Sequence, residues 1–308
     1  MALSMSPPPS PLPTCSVIIA TLDRLDSMRV VLECLGRQTC PPAEILIAAA
    51  GDVAAVEDLV RTLRLPCPVR VLACAEKSSA RQRNAAAAEA RGEVLAFLDD
   101  DIEFPDDLFA RFLAQFGESR PNPGAIAARI AGEDRPVPGW LTRAYYLLQA
   151  GYAHADYGGR LFGPGINCYP VFRSDSPALF PSEWLPATCL FVRTNLFRTM
   201  LFPAFDGYSF AEDVHLTARI AQSAPLYFAT RCLIRHHSLP SEFKADRAAL
   251  TAGKLHNLAV IAREVQGLQG WALWWRWQSH RLFLSAVLLA RRPPGWRDEF
   301  RGVWLSRL

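Results

Sequence analysis

Val94-Leu-Ala-Phe-Leu98-Asp-Asp-Asp101 decides the fold. Five apolar residues in a row read as a strand buried on both faces, the pattern of a parallel sheet covered by helices. Three acids then stand at its carboxyl end, where open parallel sheets bind their ligands. Working outward, the flanking segments alternate in the same way. Upstream lie a helix over Ser78–Arg91, a strand over Val69–Ala73, a helix over Val53–Leu65 and a strand over Glu44–Ala49. Before these come a helix over Leu25–Arg37, with Met28, Val31, Leu32 and Leu35 on one face, and an opening strand from Cys15 to Ala20. Downstream, Pro105 suits the first turn of a helix running to about Phe116. Strand and helix in alternation predict an α/β fold with a mostly parallel sheet flanked by helices.

The alternation then lapses. Residues 117–187 are rich in Gly, Pro and aromatics with little periodicity, as binding loops or lids often are. Regularity returns with a strand over Thr188–Val192, a helix over Asn195–Met200, a helix over Ala211–Gln222, and strand-like runs at Leu226–Ala229 and Cys232–Arg235. Beyond about Lys244 the chain reads as helical. These shifts divide it into a disordered Pro/Ser-rich tail (1–13), a catalytic domain (14–245) and a C-terminal helical region (246–308).

Composition bounds the function. Of 308 residues, 50% are hydrophobic and 20% charged, too apolar for a disordered chain. A net charge of +3, from 33 Lys+Arg against 30 Asp+Glu, gives no global field for nucleic acid. No two of the eight cysteines are spaced as CxxC, which argues against a zinc ribbon or redox motif and for free thiols in a reducing compartment. Met1–Thr14 lacks the basic and apolar regions of a secretory signal. The longest strongly apolar run, Leu282–Ala290, falls short of the roughly 20 residues that span a bilayer. The expectation is a cytoplasmic protein, at most peripheral on the inner face of the membrane.

Four clusters carry chemistry. Asp99, Asp100 and Asp101 repel one another, and a hard divalent cation such as Mg²⁺, which keeps phosphate oxygens among its ligands, relieves that repulsion; the plain alternative is a solvated acidic turn. In Phe210-Ala-Glu212-Asp213-Val-His215, acids at a helix start suit the dipole, and either can serve as a general base near a nucleophile. Arg231-Cys-Leu-Ile-Arg235-His236-His237 ends a strand with paired histidines. Adjacent strand residues face opposite sides, so at most one of His236 and His237 points into a site, the alternative being an ordinary surface or core histidine. Arg83, followed by Asn84, is either an exposed helix arginine or a bidentate phosphate partner.

Together these segments resemble the family 2 glycosyltransferases of GT-A fold, from about Cys15 to His237. Cys15-Ser-Val-Ile-Ile-Ala-Thr-Leu-Asp-Arg24 is similar to that family's opening strand and turn, and Gln38-Thr-Cys-Pro41 to its Q-T-x-P element. Arg83-Asn84 through Gly92-Glu93 resembles its R-N helix, with Ala86 in place of the first Gly. Leu98-Asp-Asp-Asp101 resembles its D-x-D motif, and Glu212-Asp213-Val-His-Leu-Thr-Ala-Arg219 its E-D helix. The resemblance implies an inverting, metal-dependent transfer from a nucleotide-diphosphate sugar to a hydroxyl acceptor. It implies Asp213 as general base with Glu212 orienting acceptor or base. Thr21, Asp23, Arg83, Asp99 and Asp100 would contact the donor, with Asp99 on the ribose. Asp101 or Asp100, with His236 or His237 and His236 favoured, would hold Mg²⁺ or Mn²⁺. One departure stands out: Ala48-Ala-Ala-Gly-Asp52 lacks the paired acids that family members often place there, so UDP, GDP and dTDP donors all remain open. The Q-x-x-R-W pattern of processive members is absent, which implies single addition. A sugar nucleotidyltransferase would want glycines in the turn Thr21-Leu-Asp-Arg-Leu25 and finds none. An inactive binding or scaffold protein on the same fold is the other rival.

Six of the eight tryptophans lie after residue 270, interleaved with Arg276, Arg281, Arg291, Arg292, Arg297, Arg301 and Arg307, against Asp298 and Glu299 alone. That composition is expected of a helix lying on an anionic membrane surface. The alternatives are a helical subdomain packed on the catalytic domain, or a dimer contact. A glycan or lipid-linked acceptor in cell-envelope polysaccharide synthesis would fit. Trp140, Tyr145, Tyr146, Tyr152, Tyr157 and Trp184 are expected to shape the acceptor side.

Overall fold

The computed structural model describes residues 12–117, 122–132, 137–155, 157–205, 210–237 and 246–308. Most of the expected N-terminal tail, residues 1–11, lies outside the described residues. The first half alternates as the sequence predicts: β1 (Cys15–Thr21), α1 (Leu25–Gly36), β2 (Glu44–Ala49), α2 (Val53–Thr62), β3 (Val69–Ala73), α3 (Ser79–Glu89) and β4 (Val94–Leu98). Then come β5 (Ile102–Glu103), α4 (Leu108–Phe116), β6 (Ala125–Ile130), α5 (Trp140–Ala150), β7 (Leu161–Phe162), β8 (Ile166–Asn167), β9 (Leu179–Ser182), β10 (Cys189–Arg193), α6 (Thr194–Phe197), α7 (Glu212–Ala221) and β11 (Leu226–His236). Three helices close the chain: α8 (Arg247–Glu264), α9 (Gly270–Arg291) and α10 (Trp296–Leu305).

The main sheet runs β3-β2-β1-β4-β10-β6-β11-β5, with β9 pairing on β11. Strands β3, β2, β1, β4, β6 and β11 point one way, and β5, β9 and β10 are antiparallel to their neighbours. The sheet is therefore mostly parallel, and the carboxyl ends of β1, β2 and β4 open on one edge. Alternate residues divide between two cores. Val17, Ile19, Ala96 and Leu98 pack with the apolar faces of α1 and α4, and Ile18, Leu46, Leu95 and Phe97 pack with α3 and with Leu216 and Ile220 of α7. A third core joins Trp184 and Val214 to Leu258 of α8, Trp277 of α9 and Val303 of α10. The C-terminal helices thus share buried surface with the helix that carries Glu212 and Asp213.

Three expectations are corrected. The stretch 117–187 is not all irregular: β6 lies inside the sheet between β10 and β11, and α5 is an eleven-residue helix. Ala125-Ile-Ala-Ala-Arg-Ile130 is alanine-rich, so it lacks the β-branched run that marks a strand, yet burial on both faces selects small residues there. Second, α4 begins at Leu108, and Pro105 precedes it, its carbonyl accepting the Leu108 N–H at 3.1 Å. Third, the two runs at 226–229 and 232–235 form one strand, whose register on β6 shifts between Ala229 and Leu233.

Candidate active site

Asp99 leaves β4 with its N–H bonded to the Thr188 carbonyl at 3.0 Å, which ties the acidic turn to the start of β10. The three acids then diverge. Asp100 turns toward the end of β1, accepting from Thr21 Oγ1 at 2.7 Å and Arg24 Nη1 at 3.2 Å. Asp101 lies 3.1 Å from His236 Nε2 and 3.4 Å from Arg24 Nη1. The pairing of β5 with β11 sets His236 opposite Ile102, which brings the imidazole to Asp101. Side-chain ligand atoms of Asp99, Asp101 and His236 all fall within 4.8 Å of one another. Two carboxylates and one imidazole suit a divalent cation that completes its shell with phosphate oxygens. Asp99, expected from sequence on the donor ribose, joins this trio, and Asp100 and His237, both candidate ligands from sequence, stand outside it. The His237 side chain is half exposed with Nε2 3.9 Å from Glu103, because neighbouring strand residues point to opposite sides.

The second acidic pair arrives from α7. Ala211 precedes the helix with φ +64, and this left-handed residue swings Glu212 and Asp213 into the first turn. Asp213 accepts the Val214 N–H at 2.8 Å and the Ala187 N–H at 3.2 Å. Glu212 accepts from Arg83 Nη1 and Ser79 Oγ, each at 3.4 Å. Arg83, on α3, reaches Asp99 with its other terminal nitrogen at 2.5 Å. One buried guanidinium therefore joins the acid of the β4 end to the acid of α7. Burial opposes its charge, but Asp99, Glu212 and Asp213 outweigh that and hold it protonated above its ordinary value.

Burial dominates the carboxyl groups. It pushes Glu212 up to about 8, with the neighbouring Asp213 charge adding to the effect and Arg83 opposing it. Asp213 is raised by the same burial, against the pull of its two backbone N–H donors and Arg83. Asp100 is raised to about 6, again by burial, with the Thr21 hydroxyl and Arg24 opposing.

Asp99, Arg83, Glu212, Asp213 and His236 line one cavity of about 860 Å³. Its far wall comes from Thr142 and Tyr146 of α5, Trp184, and Phe283, Val287 and Arg291 of α9. Of the aromatics expected on the acceptor side, Tyr146 and Trp184 line this cavity. Tyr157 is buried in a satellite core, Tyr145 is buried between α5 and α9, and Trp140 is 77% exposed.

Thr21 and Asp23 sit at the end of β1. Asp23 adopts φ +52 and accepts the Asp52 N–H at 2.8 Å, while Asp52 itself caps α2 through the Ala55 N–H at 3.0 Å. Gly51 is required here because a Cβ would overlap the Asp23 carboxylate. Asp52 is thus a helix cap, the ordinary use of an Asp before an apolar helix.

The description "Glycosyl transferase family 2" belongs to the family model that matches residues 16–173, just over half of the chain. The chain belongs to glycosyl transferase family 2. Among curated proteins, y4gI of Sinorhizobium fredii is 30% identical over 196 residues, 60% of this chain and 20% of that protein. The chain therefore spans about a fifth of that relative's length. Three solved structures share the fold at lower identity. TarS of S. aureus (residues 1–349) is 16% identical with a TM-score of 0.54, over 92% of this chain and 74% of that one. The mannosyltransferase PcManGT from Pyrobaculum calidifontis, solved with GDP-Man and Mn²⁺, is 15% identical with a TM-score of 0.54, over 99% and 88%. GalNAc-T7 with UDP, GalNAc and Mn²⁺ is 15% identical with a TM-score of 0.58, over 95% and 54%. At these identities the likeness shows the fold, which is GT-A.

In this family 2 chain the sequence misses three residues that build the site. Arg24 pairs with both Asp100 and Asp101. Gln82 donates to the Thr21 and Ala48 carbonyls at 2.9 and 2.7 Å, locking the ends of β1 and β2 together. Arg291 faces the cavity from a helix far along the chain. Arg24 closes the opening strand and turn and Gln82 lies in the helix predicted over Ser78–Arg91, whereas Arg291 is distinguished in the sequence only as one of the C-terminal arginines.

Proposed function

We propose that this chain is an inverting, metal-dependent glycosyltransferase that moves a sugar, a hexose or deoxyhexose, from a nucleotide-diphosphate donor to a hydroxyl acceptor. The observation that carries the reading is that Asp213 shares one cavity with Asp99 and His236. Residues 14–245 form the catalytic unit in this reading, and 246–308 the helical unit beside it. Asp99, Asp101 and His236 would hold Mg²⁺ or Mn²⁺, and their mixed carboxylate and imidazole donors fit either ion. The ion, when bound, supplies Lewis-acid stabilisation to the leaving diphosphate.

The remaining work falls to the protein's own side chains. Asp213 takes the acceptor hydroxyl proton while its two backbone hydrogen bonds fix the carboxylate in place. Burial raises its pKa, which makes it a stronger base than an exposed carboxylate. Attack from the face opposite the diphosphate, with a single base, inverts the anomeric centre. Glu212 and Arg83 orient that base and Asp99 relative to each other. Thr21, Asp23 and Asp100, beside the cavity at the ends of β1 and β4, would serve the donor, and Tyr146 and Trp184, which line the cavity, the acceptor. The acceptor is a glycan or a lipid-linked intermediate of envelope polysaccharide, met at an anionic membrane face.

A panel of UDP-, GDP- and dTDP-sugars with Mn²⁺ tests this. At least one donor should raise the melting temperature and yield free nucleotide diphosphate in the presence of an acceptor, and EDTA should abolish the release. No donor binding in the panel would favour the inactive scaffold; turnover that survives EDTA would remove the trio's role.

A further inference from the structure

Helix α9 buries polar groups and exposes apolar ones. His280, Arg281 and Ser285 are buried, whereas Trp271, Trp275, Leu282 and Leu289 are 72%, 48%, 59% and 47% exposed. Steps of four and seven residues return to nearly the same angle on a helix, so these four side chains form one row. The buried polar groups are used internally. Arg281 donates to the Val303 and Trp304 carbonyls at 3.0 and 3.3 Å, and His280 meets the Tyr145 hydroxyl at 2.5 Å.

Helix α5 continues this surface. It packs antiparallel to α9, with Tyr145 stacked on Phe283 at 3.8 Å and Gln149 donating to Ser279 Oγ at 2.8 Å. Leu141 and Leu148 lie at −4 and +3 from Tyr145; Trp275 and Leu282 lie at −4 and +3 from Ser279. Each pair is rotated from its seam residue by about 40° and about 60° in the same sense. In antiparallel right-handed helices, equal rotations from the seam emerge on the same side. Leu141 and Leu148, 61% and 53% exposed, therefore extend the α9 row into a two-helix apolar face.

We propose that this α5–α9 face docks on a lipid bilayer carrying anionic headgroups. Between residues 271 and 308 stand seven arginines and two acids, and Arg292, Arg297 and Arg301 are exposed just past the C-terminal end of α9 and in α10. Exposed tryptophans with arginines around an apolar strip match an interface whose headgroups are negative. A second copy would bring the same positive rim against itself, which disfavours a symmetric pair. The inner sides of the same helices, through Tyr146, Val287 and Arg291, wall the cavity. Docking would hold the cavity mouth at headgroup level, where the reactive hydroxyl of a lipid-anchored acceptor sits. That consequence rests on the glycosyltransferase reading; the docking does not.

The test is flotation of the full chain with phosphatidylcholine vesicles, with and without phosphatidylglycerol. Wild type should float with the anionic vesicles and lose binding in high salt. Leu282→Glu with Trp275→Glu should weaken binding at least about tenfold, as expected for losing one buried Leu-sized contact. Arg297→Gln with Arg301→Gln should lower binding to anionic vesicles alone; the melting temperature of each variant reports its fold. Absence of flotation, flotation unchanged in both variants, or a concentration-dependent dimer dispersed by Leu282→Glu would each overturn the proposal. Donor turnover with a soluble acceptor, measured on the same preparations, separates loss of docking from failure of the catalytic reading.

Discussion

Arg83 compensates the Asp99 carboxylate and also holds Glu212 with its other terminal nitrogen, from a position 7% exposed. Removing a buried partner leaves the other charges without compensation, so Arg83→Gln should destabilise the fold by about 3–5 kcal/mol in denaturant titration. An effect under about 1 kcal/mol would mean that water already screens the pair. Asp213→Asn should lower transfer by a factor of about 10²–10⁴, the usual worth of a general base, while the donor dissociation constant holds. Equal loss of donor affinity would move Asp213 out of the base role. The pH dependence follows from the direction of the shifts. A base raised by burial must lose its proton before it works, so the acid limb of the rate profile should lie above the ordinary carboxylate range. For stability the sign reverses. The Glu212 contribution is complete below the ordinary value of 4.5 and is lost as pH rises toward about 8. Glu212→Gln should therefore gain on wild type in melting temperature as pH goes from acidic to slightly alkaline.

At the scale of elements, strands buried on both faces carry the architecture, and their ends set the site. Gly92 shows how tight these joints are: a Cβ there would lie 2.5 Å from the Ser16 nitrogen of β1. Gly92→Ala should cost about 1–3 kcal/mol, read as a lower denaturant midpoint at unchanged slope. β1 to β4 were readable from the chain because long apolar runs broken by helical periodicity are local signals. β6 was not, since an alanine-rich segment becomes a strand only when β10 and β11 supply its partners. The single strand β11 was split for a similar reason. Its register shift interrupts the apolar alternation that marks a strand.

Over the whole molecule, the C-terminal helices are structural neighbours of α7, which carries Glu212 and Asp213. Trp277 and Val303 fill the same core as Val214 and Trp184. Trp277→Ala should cost about 3–5 kcal/mol and reduce transfer, because Asp213 stands one residue before Val214. A chain cut near Lys254 would lose that core, so membrane binding is better probed by surface substitution. Among the described residues, no helix is long and apolar enough to cross a membrane.

The sequence by itself determined the α/β alternation, the acids at the end of β4, the acids opening α7 and the tryptophan-arginine character of the C-terminus, because periodicity and composition are local properties. Tertiary structure decided which of those groups meet. It put Asp99 and Asp101 with His236, turned Asp100 to Thr21 and His237 to Glu103, and set Arg83 between Asp99 and Glu212. It also aligned the exposed rows of α5 and α9, which are more than a hundred residues apart in the chain. Side-chain direction at a strand end or helix start depends on partners brought by distant strands, and no local pattern encodes those partners.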